Sequence, residues 1–381
     1  MSIDRKPMLH LFIIVEAFLV VFNVASIFAE KNDEGSFIPG DPLAAAILSM
    51  NSIDKTFKLP LTVEQMNEQS DSYLVYKAEI EEEGTIIYST ANSGAHRYGP
   101  SIMKYEDGTM DAWFSSPGNN STEWDWIRYR HYDGENWSGE RIVLRPTSGS
   151  KDRCSVCDPG VVYFNGYYYL AYTSTADSGR KGYNNSAFVA RSENPDGPYE
   201  KWNGEGWGGY PEPIIKYDGD PNGWGIGEVS FVIRDDDLFI YYTYFDTNGG
   251  STHLAKADLT ENWPLTIREK GPVCPFDNND SLDVVYCDEL DSFLAFSIEY
   301  RMSEGSRLIV YESDDGKNFS SVTTRKTNIE DYAHNLGISK NTDGHISLSD
   351  DLLIGYAFGR YWGRWSTIFQ KMELDVEKHS S

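Results

Sequence analysis

Three carboxylates stand out by where they sit in recurring sequence. Asp158 precedes Pro159-Gly160 and the apolar run Val161–Phe164. Glu228 follows Gly225-Ile226-Gly227 and precedes Val229–Ile233. Asp283 precedes Val284–Tyr286. Each would stand at the mouth of a β-strand, where a carboxylate can face a cavity. Glycoside hydrolysis needs such groups: one carboxylic acid to protonate the leaving oxygen, one carboxylate to activate water or attack carbon. Trp224, Gly225 and Gly227 give Glu228 an apolar setting, which favours the protonated acid. The plainer readings are a surface-loop carboxylate for Glu228, an Asx turn ahead of proline for Asp158, and a turn residue for Asp283.

Other side chains would serve the same cavity. Arg97 precedes the first of these strands and Arg301 follows a later one; a guanidinium there would hold a sugar carboxylate or hydroxyls. Trp113 and Trp224 are candidate sugar platforms. Aromatic residues are 14 % of the chain, enough to supply both strand cores and flat faces for pyranose C–H groups. His334-Asn335 opens a further strand, with a buried core histidine as the alternative.

The elements that position these residues repeat. Val161–Phe164, the turn Asn165-Gly166 and Tyr167–Thr173 read as a hairpin, because Asn-Gly accepts the positive φ of a two-residue turn. Pro159 has no N–H and suits the start of a strand. Similar units begin near Gly99, Glu228, Asp283 and His334, at intervals of 59, 70, 55 and 51 residues from Gly99 through Asp158. A third strand follows each hairpin: Ile127–Tyr132, Ala187–Ser192, Thr252–Ala257, Arg307–Glu312 and Thr367–Met372. A fourth, polar strand follows in four units. The fifth unit lacks one, and the stretches Tyr73–Ile80 and Thr85–Ser89 are the spare supply. The expected fold class is all-β: a five-bladed β-propeller with four-stranded antiparallel blades, its ring closed by an N-terminal strand.

Residues 90–372 resemble the five-bladed propeller glycoside hydrolases around family 43, which include arabinanases, arabinofuranosidases and xylosidases. The resemblance implies an Asp base in the first blade, an Asp tuning the acid in the second and a Glu acid in the third. Asp158 and Glu228 match the second and third. The first place is Gly99, in Tyr98-Gly99-Pro100. Asp283 is then the candidate for the absent carboxylate. The resemblance also implies a channel histidine beside a bound calcium, here His334, as a structural ion; no cofactor is required for the chemistry.

The chain carries a formal charge of −26, which argues against nucleic acid or an anionic membrane surface as partner. Residues 1–29 read as an export signal: Arg5 and Lys6, an apolar run, then the small residues Ala25, Ser26 and Ala29. An uncleaved N-terminal anchor is the alternative. Residues 30–72 read as a linker or cover and 73–381 as the propeller. The protein is expected to be a monomer, secreted, periplasmic or on the cell surface, with a polysaccharide or oligosaccharide substrate. Export permits two local disulfides, Cys154–Cys157 and Cys274–Cys287. A zinc site from these cysteines is the rival, with no histidine at finger spacing. The activity expected is hydrolysis of plant or algal glycans. The alternatives are a non-catalytic carbohydrate-binding propeller, or a propeller lyase or sialidase-like enzyme; the last would call for an arginine triad and a tyrosine nucleophile.

Overall fold

Asn165 and Gly166 take positive φ, 51° and 84°, and close a tight hairpin between Cys157–Phe164 and Tyr167–Ser174. That turn twists the way its strands do, so it favours this pairing over a loose loop. A computed structural model describes the chain at residues 72–88, 96–119, 121–179, 182–273, 282–321 and 327–380. The expected export signal and the linker up to residue 71 lie outside these, and residues 72–381 form one unit. Among the described residues the only helical turn is the 3-10 segment Trp263–Thr266. Among the described residues no helix is long and apolar enough to cross a membrane.

The hairpin unit recurs as antiparallel meanders. The first runs Tyr98–Lys104, Met110–Pro117, Asp125–Tyr132 and Arg141–Leu144. The second adds Ser186–Ser192 and Glu200–Lys201 to the hairpin above. The third runs Gly225–Arg234, Asp237–Asp246, Gly249–Asp258 and Arg268–Pro272. The fourth runs Asp283–Cys287, Ser292–Glu299, Arg307–Ser313 and Ser320–Ser321. The fifth runs His334–Lys340, Leu352–Phe358 and Ser366–Ser380. Its outer strand is Ser72–Tyr88, antiparallel to Ser366–Ser380. This is one strand with an irregularity between Ile80 and Gly84, not the two short strands that the sequence suggests.

Hydrophobic clusters fill the gaps between successive meanders. Val161, Leu170 and Phe188 meet Met103, Trp113 and Ile127 between the first and second. Phe231, Ile240 and Trp263 meet Val162, Tyr169 and Val189 between the second and third. Phe239 and Tyr241 meet Val284 and Phe293 between the third and fourth. Leu294 and Phe296 meet Ile338 and Tyr356 between the fourth and fifth. Phe369 of the fifth packs on Ile102 and Phe114 of the first. Buried side chains of this size each stabilise by about 1.5–3 kcal/mol, so these layers hold the meanders face to face.

The first strands converge. His334–Lys340 runs parallel to Tyr98–Lys104 through Ser339 and Ile102. The turn after it accepts amide hydrogen bonds from three other meanders: Tyr163 to Thr342, Ile233 to Asp343 and Tyr286 to Gly344. Gly160 and Gly337 are needed here, since a Cβ would strike the Val229 and Pro100 carbonyl oxygens. Beside them lies a buried ion pair: Lys340 Nζ donates to Asp283 Oδ1 at 2.6 Å, and Asp283 also accepts from Ser230 Oγ and the Ile338 amide, both at 2.7 Å.

The expected disulfides are absent. Cys154, Cys157 and Cys287 are buried free thiols, and Cys274 lies outside the described residues. The backbone keeps the first two apart. The Cys154 amide donates to Thr175 O while Cys157 pairs with Thr173, which lays residues 154–157 along the end of the neighbouring strand. The Cys157 thiol donates instead to Thr173 O at 3.6 Å, and that of Cys287 to Glu289 Oε2 at 3.6 Å.

Removing Asp283 would leave Lys340 charged and buried. Asp283→Ala is expected to lower the free energy of unfolding in urea by about 3–5 kcal/mol, and the double replacement Asp283→Leu with Lys340→Met by less.

Candidate active site

The first strands carry an unusual residue at one end. Gly99, Asp158, Glu228 and Asn335 take φ of 59°, 48°, 52° and 48°. Each sits at a break in the hairpin register, at Tyr98/Ser101, Cys157/Gly160, Gly227/Ser230 and His334/Leu336. A bulge re-aims the side chain, and positive φ at a non-glycine residue costs of order 1–3 kcal/mol. Hydroxyls of neighbouring strands hold two of these turns: Ser115 Oγ accepts from the Asp158 amide at 2.8 Å and Thr173 Oγ1 from the Glu228 amide at 3.0 Å.

The three that carry side chains meet. Asn335 Nδ2 donates to Glu228 Oε1 at 2.7 Å and to Asp158 Oδ1 at 3.2 Å. Its Oδ1 accepts from Arg301 Nη2 at 3.1 Å, which fixes the amide's orientation: oxygen to the guanidinium, nitrogen to the carboxyl groups. Thr243 Oγ1 donates to Glu228 Oε2 at 2.9 Å. Burial pushes the Asp158 carboxyl up to about 6; the nearby Asp125 charge adds to the rise, while the Cys157 and Thr173 hydrogen bonds and Arg301 oppose it.

These groups line a cavity of about 770 Å³, a size that suits a small sugar unit. Its wall includes His96, Tyr98, Trp124, Asp125, Ser155 and Arg301. Aromatic rings run from its rim inward. Trp224 stacks on Tyr183 at 4.9 Å between centroids and 12° between planes. Trp362 lies 5.7 Å from Trp224 and 4.9 Å from Trp365, which packs on His334 at 4.6 Å. Trp362 is 66 % exposed and Trp224 37 %, so both present ring faces to solvent. Gly182 makes room for Trp224, whose ring a Cβ there would strike.

The remaining expected residues stand elsewhere. Asp283 pairs with Phe296 in the register that Gly160 and Ser230 keep with Ala171 and Tyr241, two residues deeper than Asp158 and Glu228. Ser281, two residues before Asp283 in the sequence, lies outside the described residues. Asp283 is held by Lys340 and is not on the wall of this cavity; it lines a second, small pocket with Asp158, Glu228 and Asn335. Trp113 is fully buried, its Nε1 donating to Pro195 O at 2.9 Å and Tyr199 Oη at 3.1 Å; it is core and not a platform. Arg97 is buried against Glu140, with Nη2 2.7 Å from Oε2, and is not on the cavity wall.

His334 does line the cavity. Its Nδ1 donates to Tyr332 O at 3.2 Å, and the buried Nε2 has no hydrogen-bond partner. Burial, with Arg301 adding, pushes it down to about 3, so the ring is neutral. Among the described residues no three His, Cys, Asp or Glu side chains gather as metal ligands. The charge that acts on His334 beside its burial is the Arg301 guanidinium.

Asp125 was not singled out in the sequence. It opens Asp125–Tyr132, and its neighbours Trp124 and Trp126 disguise it as part of an ordinary strand. Its Oδ1 accepts from His96 Nε2 at 3.1 Å and its Oδ2 from Ser155 Oγ at 2.9 Å.

No protein-family profile matches the sequence, and no curated protein matches it. Solved structures do. A family 117 glycoside hydrolase from the marine bacterium Zobellia galactanivorans superposes with a TM-score of 0.59 at 16 % identity, over 79 % of this chain and 91 % of that one. An α-L-arabinofuranosidase from Podospora anserina, solved with cellotriose, gives 0.56 at 10 %, over 78 % and 97 %. An endo-arabinase from Bacteroides thetaiotaomicron gives 0.50 at 16 %, over 76 % and 97 %. The fold is thus one that solved glycoside hydrolases share; family 43 is not singled out.

The neutral His334 makes a pH test. Its folded pKa lies below the unfolded value near 6.5, so its stabilising contribution is whole above that pH and is lost as pH falls toward 3. In urea unfolding at pH 7 and pH 5, wild type is expected to lose more stability on acidification than His334→Gln.

Proposed function

We propose that residues 73–381 form a five-bladed propeller, closed by the N-terminal strand, and that the protein is an exported glycoside hydrolase acting on plant or algal polysaccharides or oligosaccharides. The observation that carries this reading is the Asn335 amide joining Asp158 and Glu228 at the cavity wall. The five interlayer clusters and the Ser72–Tyr88 pairing support the ring. The solved structures of like fold are glycoside hydrolases, which supports the activity. Residues 1–29 support export.

In this reading Glu228 is the general acid. Two carboxyl groups brought to one nitrogen repel as anions, and burial already pushes Asp158 up, so the pair favours a single proton that can pass to the leaving oxygen. Thr243 and Asn335 fix the Glu228 carboxyl group in place. Asp158 steadies the proton, and Arg301 balances the charge that remains through Asn335. Trp224 and Trp362 offer flat apolar faces for the C–H side of a sugar ring.

A second reading, a non-catalytic carbohydrate-binding propeller, draws on Gly99 at the first mouth and on the exposed aromatic rim. A sialidase-like site would need more than Arg301, the one arginine among the described residues of the cavity wall.

Screening aryl-glycosides, arabinans, arabinoxylan and agarose fragments decides between them. Glu228→Gln is expected to lose about 10²–10⁴ in turnover on substrates with poor leaving groups, and much less on activated aryl-glycosides, with binding preserved. Wild-type binding without turnover of any substrate would favour the second reading.

A further inference from the structure

Resting on the hydrolase reading, we infer that Asp125, held by His96 and Ser155, is the base that activates water for this chain, the role for which the first-strand position offers only Gly99.

Asp158 is the first alternative to weigh, and its geometry argues against it. Asn335 Nδ2 lies 3.2 Å from Asp158 and 2.7 Å from Glu228. Both acceptor oxygens are reached by one NH2 group, so the Asn335 nitrogen stands between the two carboxyl groups. In a retaining pair the anomeric carbon occupies the gap; here an amide nitrogen does. Asp158 therefore acts on Glu228 and not on the sugar. Gly99 offers nothing either. A Cβ at Gly99 would sit 3.0 Å from Asp158 Oδ1, so a carboxylate built there would crowd the pair.

Asp125 is the third carboxylate on the wall of the same cavity. It lies near enough for its charge to act on Asp158. Both its oxygens are anchored, Oδ1 by the His96 ring at 3.1 Å and Oδ2 by the Ser155 hydroxyl at 2.9 Å, and each keeps a lone pair for water. Its backbone is fixed as well: Asp125 O accepts from the Val156 amide at 3.1 Å, which ties it to the segment leading into Asp158. The His96 ring packs 5.6 Å from Tyr98 and from Trp365, so the donor that aims Asp125 is itself held. His96 is a positioning residue; Asp125 is the catalytic one.

The step balances. Asp125 takes one proton from water, and the water oxygen bonds to the anomeric carbon. The glycosidic carbon–oxygen bond breaks with its electron pair going to the leaving oxygen, which takes the Glu228 proton. Asp125 then returns its proton and Glu228 regains one through solvent. Water arrives from the face opposite the leaving group, so the product's configuration is inverted.

The test uses the full chain and whichever aryl-glycoside or oligosaccharide the screen finds. Asp125→Asn is expected to lose about 10²–10⁴ in kcat on activated and unactivated substrates alike, whereas Glu228→Gln loses chiefly the unactivated ones. Sodium azide is expected to restore turnover of the aryl-glycoside by Asp125→Ala, giving the inverted glycosyl azide. His96→Gln, which leaves every carboxylate in place, is expected to lower kcat with KM held. Proton NMR of the first product should show inversion. Asp125→Asn within tenfold of wild type, on substrates that Glu228→Gln no longer cleaves, would overturn the assignment while leaving the hydrolase reading intact. Retention of configuration would overturn it too. A wild type that cleaves none of the probes would overturn both. If Asp125→Asn does not fold, His96→Gln with unchanged kcat overturns it instead.

Discussion

One amide nitrogen placed between two carboxyl groups is the constraint around which this molecule is arranged. Asn335, Asp158 and Glu228 come from the fifth, second and third meanders, and each holds a backbone conformation that its residue type disfavours. Hydrogen bonds to charged groups contribute about 1.5–3 kcal/mol each, enough to offset strain of similar size. The bridge has a direction as well. Arg301 holds the amide oxygen, so the nitrogen can only face the carboxyl groups. A glutamate and an aspartate that would otherwise repel are thereby kept at one fixed distance.

That meeting requires the first strands to converge closely, and the layers beneath supply the means. Gly160 and Gly337 let neighbouring backbones touch. The Asp283–Lys340 pair neutralises itself within a knot that includes Ser230 and the Ile338 amide. The turn at residues 341–344 then gathers amides from the second, third and fourth meanders. Large apolar clusters fix the sheets, while small and polar contacts near the middle fix where the mouths fall.

Much of this was legible in the sequence, for identifiable reasons. Period-two patterning and Asn165-Gly166 reveal a hairpin, and its repetition reveals the meanders. Asp158, Glu228 and Asn335 follow from their places before the apolar runs. The misplacements share one cause: register is not written locally. Asp283 precedes an apolar run as Asp158 does, but the bulge at Asp158 adds residues to the mouth side, so the deeper Gly160 is its true counterpart. Arg97 and Trp113 sit close in sequence to the first mouth, yet Glu140 and the Tyr199–Pro195 turn draw them away. Asp125, Trp362 and Trp365 come from a third strand and a long loop, where nothing in the pattern marks proximity to a cavity. The cysteine spacing suggested bridges because local separation says nothing of the strand pairing that keeps Cys154 and Cys157 apart.

The central claim is that Asn335 acts through Glu228 and Asp158. The dependence of kcat on leaving-group acidity, measured for Asn335→Ala across a series of aryl-glycosides, tests it most directly. The account predicts that kcat falls progressively as the leaving group becomes poorer, with KM close to wild type, because the proton donor has lost its partner. A uniform rise in KM with kcat unchanged along the series would contradict it, and would make Asn335 only a contact for the sugar.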